Sequence, residues 1–245
     1  KHNPKDAYGI AYYDSPMIER NKAIKNDYLK EAIEAGKKYN VNIYAYFNIL
    51  LDDKIADKFP EYRMVDSNGT RVIAYDYYKI LCPNSPYCNI IKDRITDVVN
   101  RYDIKGVFMD ITYFEQNTCF CKYCQDKFQE KYGYGMNTKM QKGTKELRNW
   151  YEFRRKSRYD LIYTLLKEIR SIKEIDVTWN GSGSYMIAEN EIDKYCTCLT
   201  SEFHAPNYLD GIIRAKWMQS QGKPFIMSTP YELGSWGDWT VNPET

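Results

Sequence analysis

The stretch Gly106-Val107-Phe108-Met109-Asp110-Ile111-Thr112 sets four small or apolar residues before one acid. A short, nearly continuous apolar run suits a strand covered on both faces, as in a parallel sheet flanked by helices. An acid at the end of such a strand costs on the order of several kcal/mol if buried without a partner. Asp110 therefore needs a partner or a task. Working outward, the sequence before it predicts a helix over 85–102, with Pro86 at a helix-start position. Further upstream come a strand over Val41–Asn48 (VNIYAYFN) and a helix over Asn26–Tyr39 that lines up Leu29, Ala32 and Ile33. Between them lie a short helix near Asp53–Phe59 and a turn at Asp66-Ser-Asn-Gly69 flanked by short extended runs. Downstream, helices are predicted near Lys122–Lys131 and Thr144–Ile172, then strands Asp176–Asn180 and Cys198–Phe203. A helix over Leu209–Gln221 and a strand over Pro224–Thr229 follow.

Strands that alternate with helices define a parallel α/β fold. No Gly-x-Gly-x-x-Gly follows a strand and no phosphate-binding loop is present, which removes the nucleotide-binding open sheet. An open doubly wound sheet without a nucleotide site and a (β/α)8 barrel, one domain over 1–245, both fit this alternation. Only five strands are visible, so the barrel is expected to be incomplete.

The chain has 245 residues and a formal net charge of +2, with no basic tail, so a nucleic-acid partner is not expected. No stretch reaches the roughly 20 apolar residues of a membrane helix. The chain opens at Lys1-His2-Asn3 without Met; a cytoplasmic location is favoured, with a removed signal as the alternative. Tyrosine is abundant, at 24 residues, with 5 Trp. Such rings make flat apolar platforms with a polar edge, as sugar-binding sites require. Seven Cys, three of them in Cys119-Phe-Cys121-Lys-Tyr-Cys124, point to a metal site or free thiols rather than a disulfide framework. Cys196 and Cys198 alternate into a strand and read as core.

In a barrel of this kind, chemistry sits where strands end and βα loops begin. The strand ends carry Asn48, Asp110, Trp179-Asn180, Glu202 with His204, and Thr229 followed by Glu232. Glycosidases work with two carboxyl groups, one to protonate the leaving oxygen and one to attack or to activate water. Asp110 and Glu202 are the expected pair, with Glu115 and Glu232 as reserve acids. Against these stand structural readings: a cap or ion pair for Asp110, an orienting role for Glu202, ordinary packing for Trp179 and Asn48, and a helix cap for His204.

The segments Lys79–Tyr87 (KILCPNSPY), Tyr102–Thr112 (YDIKGVFMDIT), Cys119–Phe128 (CFCKYCQDKF) and Gly234–Trp239 together resemble a group of bacterial barrel proteins classed as glycosyl hydrolases. This group lies near the α-L-fucosidases and near the β-galactosidases that carry a trimerisation domain. The resemblance to the fucosidases implies an Asp nucleophile at the end of strand four, matching Asp110. It also implies a sugar-binding histidine, for which Lys1-His2 resembles the start of the segment, although the second His is absent. In the β-galactosidases an Asn-Glu pair stands where this chain has Met109-Asp110, so the nucleophile and acid/base roles of Asp110 and Glu202 are exchangeable. The same register makes VNIYAYFN the third strand, with two strands before Lys1 and an eighth after Thr245.

The resemblance also gives the cysteines a role. The loop cysteine of the β-galactosidases corresponds to Cys82, which would join Cys119, Cys121 and Cys124 in a closed, structural four-thiolate zinc site. Cys88 is the competing fourth ligand, and three reduced thiols without metal is the alternative. No organic cofactor is expected. The implied function is hydrolysis of a glycoside or oligosaccharide, most like α-L-fucosidase, with His2, Asn48, Trp179, Asn180 and His204 contacting the sugar. The alternatives are a carbohydrate-binding barrel without activity, an inactive fragment, and a metal-dependent hydrolase. The last is disfavoured because the chain has only 2 His and no His-Glu-x-x-His. The relatives' trimer rests on a domain absent from this sequence, so a homo-oligomer is left open.

Overall fold

The computed structural model describes residues 2–182, 192–202 and 208–228. In chain order its strands are β1 (His2–Lys5), β2 (Tyr44–Asn48), β3 (Ile73–Ala74), β4 (Tyr78–Lys79), β5 (Gly106–Asp110), β6 (Asp176–Trp179), β7 (Leu199–Glu202) and β8 (Phe225–Ser228). The α-helices are α1 (Tyr28–Tyr39), α2 (Asp53–Lys58), α3 (Tyr87–Arg101), α4 (Lys122–Tyr132), α5 (Lys145–Ile172) and α6 (Tyr208–Ser220). Local chemistry sets their ends. The Asp27 carboxylate accepts from Lys30 N to start α1, and Thr144 Oγ1 accepts from Leu147 N to start α5. Gly133, at φ 78°, closes α4 in the left-handed conformation.

The order β1-β2-β5-β6 is parallel throughout, and β7 pairs in parallel with β8. A parallel bridge between Asn180 and Thr200 joins the two groups. The described residues thus form a mixed α/β fold with a parallel sheet of barrel-like order, and they do not close a barrel. β1 corrects the five-strand expectation: it lies where the sequence reading placed a strand before Lys1. Its sequence, His-Asn-Pro-Lys, lacks an apolar run, and Lys5 is buried by charge pairing instead of hydrophobicity. Lys5 Nζ lies 3.5 Å from Asp52 Oδ2 and donates to the Leu51 carbonyl at 2.6 Å. Arg94 from α3 pairs with the same carboxylate oxygen. All three side chains are almost fully buried.

Side chains alternate across these strands, and the two faces differ. Ala45, Phe47, Val107, Met109, Val177, Trp179 and Leu199 form the helix face and are all buried. The inner face is built in rows. Tyr44 reaches across Gly106 to donate to Asp176 Oδ2 at 2.5 Å. A Cβ on Gly106 would meet the Tyr44 ring at 2.5 Å and the Asp176 carbonyl at 2.6 Å, so only glycine admits this crossing. Above it, Tyr46 stacks on Phe108 with ring centres 5.6 Å apart, and Thr178 Oγ1 lies 3.1 Å from Thr200 Oγ1. The top row, at the C-terminal ends, is Asn48, Asp110 and Asn180, with Glu202 one step higher on the same face.

Candidate active site

Parallel pairing sets Asn48 beside Asp110, because β2 and β5 run in register from Tyr44↔Gly106 to Asn48↔Asp110. On the other side, Asn180 N donates to the Met109 carbonyl at 2.8 Å, which brings the Asn180 side chain level with Asp110. Glu202 sits two residues above Thr200 on β7 and so shares its face. Asn48, Asp110 and Asn180, predicted separately from sequence, therefore share one inner row, and Glu202 stands two residues above the Thr200 that pairs with Asn180, on the same face.

Asp110 is buried and well held. Its Oδ2 accepts from the Tyr46 hydroxyl at 2.7 Å, and its Oδ1 accepts from Asn180 Nδ2 at 3.0 Å and from the Ile111 amide at 2.7 Å. The last contact requires Ile111 to adopt φ 51°, the left-handed region, which a β-branched residue enters at a cost of about 1–3 kcal/mol. Ladder-like bonds hold that conformation: Ile49 N donates to the Asp110 carbonyl at 2.8 Å and Leu50 N to the Ile111 carbonyl at 3.1 Å. Strain of this kind next to a buried acid is a mark of functional sites.

Tyrosines report the field around the acid. Burial pushes the Tyr46 phenol well above its ordinary range, and the charges of Asp110 and Glu202 push it further. Tyr46 thus remains a hydrogen-bond donor. Tyr75, at the tip of the β3–β4 hairpin, is raised by burial and by Asp110, Glu115 and Glu202, while its bond with Tyr113 works the other way. The Tyr113 hydroxyl donates to the Tyr75 hydroxyl at 2.8 Å, and burial, Tyr75 and Glu115 raise its own phenol. Tyr75 thus lies within the field of Asp110, Glu115 and Glu202, and Tyr113 is joined to it by a hydrogen bond. Glu115 is fixed from below, since Arg154 Nη2 donates to its carbonyl at 2.6 Å. Tyr46, Tyr75 and Tyr113 escaped the sequence reading. The period-two spacing of Tyr44, Tyr46 and Asn48 was the available signal.

Other predicted residues lie elsewhere. Trp179 turns to the helix face and is only 1% exposed. The Arg158 guanidinium of α5 stacks 4.8 Å from its ring centre. It is packing between sheet and helix, because a residue adjacent to Asn180 in a strand must point the opposite way. His2 is part of β1 itself, paired at the level of Ala45 and below the Asn48 row, which departs from the fucosidase-like loop position. His204, Thr229 and Glu232 fall outside the described residues.

The cysteines converge as a second centre. The sulfur atoms of Cys82, Cys119, Cys121 and Cys124 all lie within 4.8 Å of one another, and all four residues are buried. A tetrahedral zinc ion with Zn–S near 2.3 Å needs sulfurs about 3.8 Å apart, so this donor set fits a closed metal site. Amide groups already point at the sulfurs: Asn84 N lies 3.4 Å from Cys82 Sγ and Asn84 Nδ2 3.3 Å from Cys124 Sγ. Burial drives the Cys82 and Cys124 thiols up, whereas Cys121 is held far down by hydrogen bonds from Cys119, Cys124 and Cys82. Cys88 lies on α3 outside the group, and Cys196 is buried.

Residues 3–111, less than half of the chain, match the sequence profile of the family described as hypothetical glycosyl hydrolase 6. The resemblance is to glycosyl hydrolases. The described fold is similar to α-L-fucosidase isoenzyme 2 from Paenibacillus thiaminolyticus, with TM-score 0.74 and 22% identity over 97% of this chain and 36% of that one. It is also similar to the β-galactosidase from Bacillus circulans sp. alkalophilus, with TM-score 0.71 and 17% identity over 96% of this chain and 42% of that one. A third likeness is the β-galactosidase of the haloarchaeon Halorubrum lacusprofundi, with TM-score 0.60 and 18% identity over 74% of this chain and 33% of that one. The chain thus spans well under half the length of these proteins, and at these identities they establish the fold alone. No curated protein matches the chain. Among the described residues no helix is long and apolar enough to cross a membrane.

Proposed function

We propose that this chain carries the active site of a glycoside hydrolase that cleaves by a two-carboxylate mechanism. The observation that carries the reading is the placement of Asp110: a buried acid at a parallel strand end, held by Tyr46, Asn180 and a strained Ile111. A carboxylate that already accepts three hydrogen bonds is arranged as an acceptor, which suits an attacking oxygen better than a proton donor. Asp110 is therefore the nucleophile and Glu202 the acid/base. Glu202 protonates the glycosidic oxygen as Asp110 attacks the anomeric carbon. The leaving group departs, and water deprotonated by Glu202 then releases the sugar and frees Asp110. Asn48 and Asn180 contact the sugar hydroxyls. The family match and the fucosidase-like fold support a glycosidase, and an α-L-fucoside is the first substrate to try.

Zinc held by Cys82, Cys119, Cys121 and Cys124 completes the proposal. A four-thiolate site leaves no open position, so the ion's part is structural: it ties the loop after β4 to the loop after β5 beside the mouth. The test is a panel of aryl glycosides assayed with wild-type protein and Asp110→Asn. The reading predicts turnover of at least one glycoside and its loss by about a thousandfold or more in the variant. Turnover unaffected by the substitution sinks the assignment.

A further inference from the structure

A groove of about 640 Å³ runs between α3, α4 and α5, and none of the strand-end residues lines it. Its wall includes Pro83, Asn84, Cys88, Lys127, Phe153 and Ser157. Cys82, Cys119, Cys121 and Cys124 do not line it. Asn84 touches the groove on one side and the sulfur centre on the other.

Asn84 turns two N–H groups toward the sulfurs. Its backbone N donates to Cys82 Sγ at 3.4 Å, and its Nδ2 donates to Cys124 Sγ at 3.3 Å. Nδ2 also donates to Ser157 Oγ of α5 at 2.9 Å, and Lys127 Nζ of α4 donates to Asn84 Oδ1 at 3.2 Å. The amide is therefore engaged at both ends, and the residue is only 8% exposed. Helix capping does not account for it, since the start of α3 has no side-chain cap hydrogen bond.

Charge gives the arrangement a purpose. Four thiolates around a divalent zinc ion leave a net charge of about −2 on the centre. A buried charge of that size needs donors and a cation close by. Lys127 lies on the groove side, and its pull on Oδ1 polarises the amide whose N–H meets Cys124. Lys131 and Lys156 also line the groove, but they pair with Glu152 and Asp160.

We infer that Asn84, backed by Lys127, seals the four-cysteine centre from this groove, and that the groove is the route by which the metal exchanges. Asn84 is a positioning residue for the metal: it holds Cys82 and Cys124 and stands where a competing ligand would approach Cys124. The inference rests on the zinc reading above and adds how the site is held and reached.

The test is zinc release from native, zinc-loaded protein into excess pyridylazoresorcinol, a chromophoric chelator, at several chelator concentrations. Wild-type release should be slow and independent of chelator concentration. Asn84→Ala should release zinc about tenfold or more faster, at a rate that rises with chelator concentration. Lys127→Gln changes an exposed residue and should raise the rate by about threefold, so it carries the test if Asn84→Ala does not fold. A substitution that merely loosened packing would speed release in step with a lower thermal midpoint and without dependence on chelator. That outcome overturns the inference, as does an Asn84→Ala rate within about twofold of wild type. Native protein that holds no zinc removes the four-thiolate reading and this inference together. Protein that holds zinc and releases it equally from wild type and variants removes this inference alone.

Discussion

Replacing Asp52 by Asn removes one negative charge from a buried cluster and keeps nearly everything else. Asp52 is paired with Lys5 and Arg94, and its Oδ1 also accepts from Ile55 N at 3.0 Å to start α2. Asparagine retains that cap, since its carbonyl accepts equally well. What is lost is the counter-charge of two buried cations, worth about 3–5 kcal/mol when one partner of a buried pair is removed. Asp52→Ala loses the cap as well, adding about 1 kcal/mol. Against a total stability of roughly 5–15 kcal/mol for a domain, the first change should lower the urea midpoint by more than about 1 M. Lys5→Met should cost less, because Arg94 still holds Asp52. Burial opposes the Asp52 charge, but Lys5 and Arg94 outweigh it and hold its carboxyl below the ordinary 3.8. Its contribution is therefore complete above that value and is lost as pH falls through the lower folded-state value. The assay is equilibrium urea unfolding of the three variants at neutral and acid pH. An Asp52→Asn midpoint equal to wild type would refute the reasoning.

Other changes test separate parts of the account. Cys121→Ser should abolish stoichiometric zinc measured by atomic emission on native protein and lower the thermal midpoint. Wild-type protein purified without zinc would rule out the four-thiolate site. Gly106→Ala sets a methyl group against the Tyr44 ring and the Asp176 carbonyl, at 2.5 and 2.6 Å, and should cost about 1–3 kcal/mol in urea unfolding. Tyr46→Phe removes one donor from Asp110 while leaving the stack on Phe108. Its kcat/KM on the best aryl glycoside should fall by about tenfold or more with the thermal midpoint nearly unchanged, and an unchanged kcat/KM would remove Tyr46 from the site.

What the sequence made legible follows from how burial is achieved. β5 was visible because Val107, Phe108 and Met109 are buried by being apolar. The helix limits were visible because their signals are local, as with Thr144 before α5 and Gly133 after α4. β1 was hidden because Lys5 is buried by Asp52 and Arg94, a pairing across long sequence separations. The strand-end reading brought Asn48, Asp110 and Asn180 onto one row, since register in a parallel sheet carries equivalent positions to the same height. It failed for Trp179 because adjacent residues of a strand face opposite ways, and the Asp110–Asn180 contact fixes which of them looks inward. Tyr75 and Tyr113 could not be found from spacing alone: they meet through the β3–β4 hairpin and the loop after β5, and nothing local in either segment announces the contact.

The claim that Asp110 is the attacking group has a direct test. An activated fluoro-sugar derivative of the best substrate should trap a covalent glycosyl-enzyme, and peptide mass mapping should place the sugar on the fragment containing Asp110. A trapped sugar on the Glu202 fragment instead, or an Asp110→Asn protein that still forms the adduct at the wild-type rate, would contradict the account.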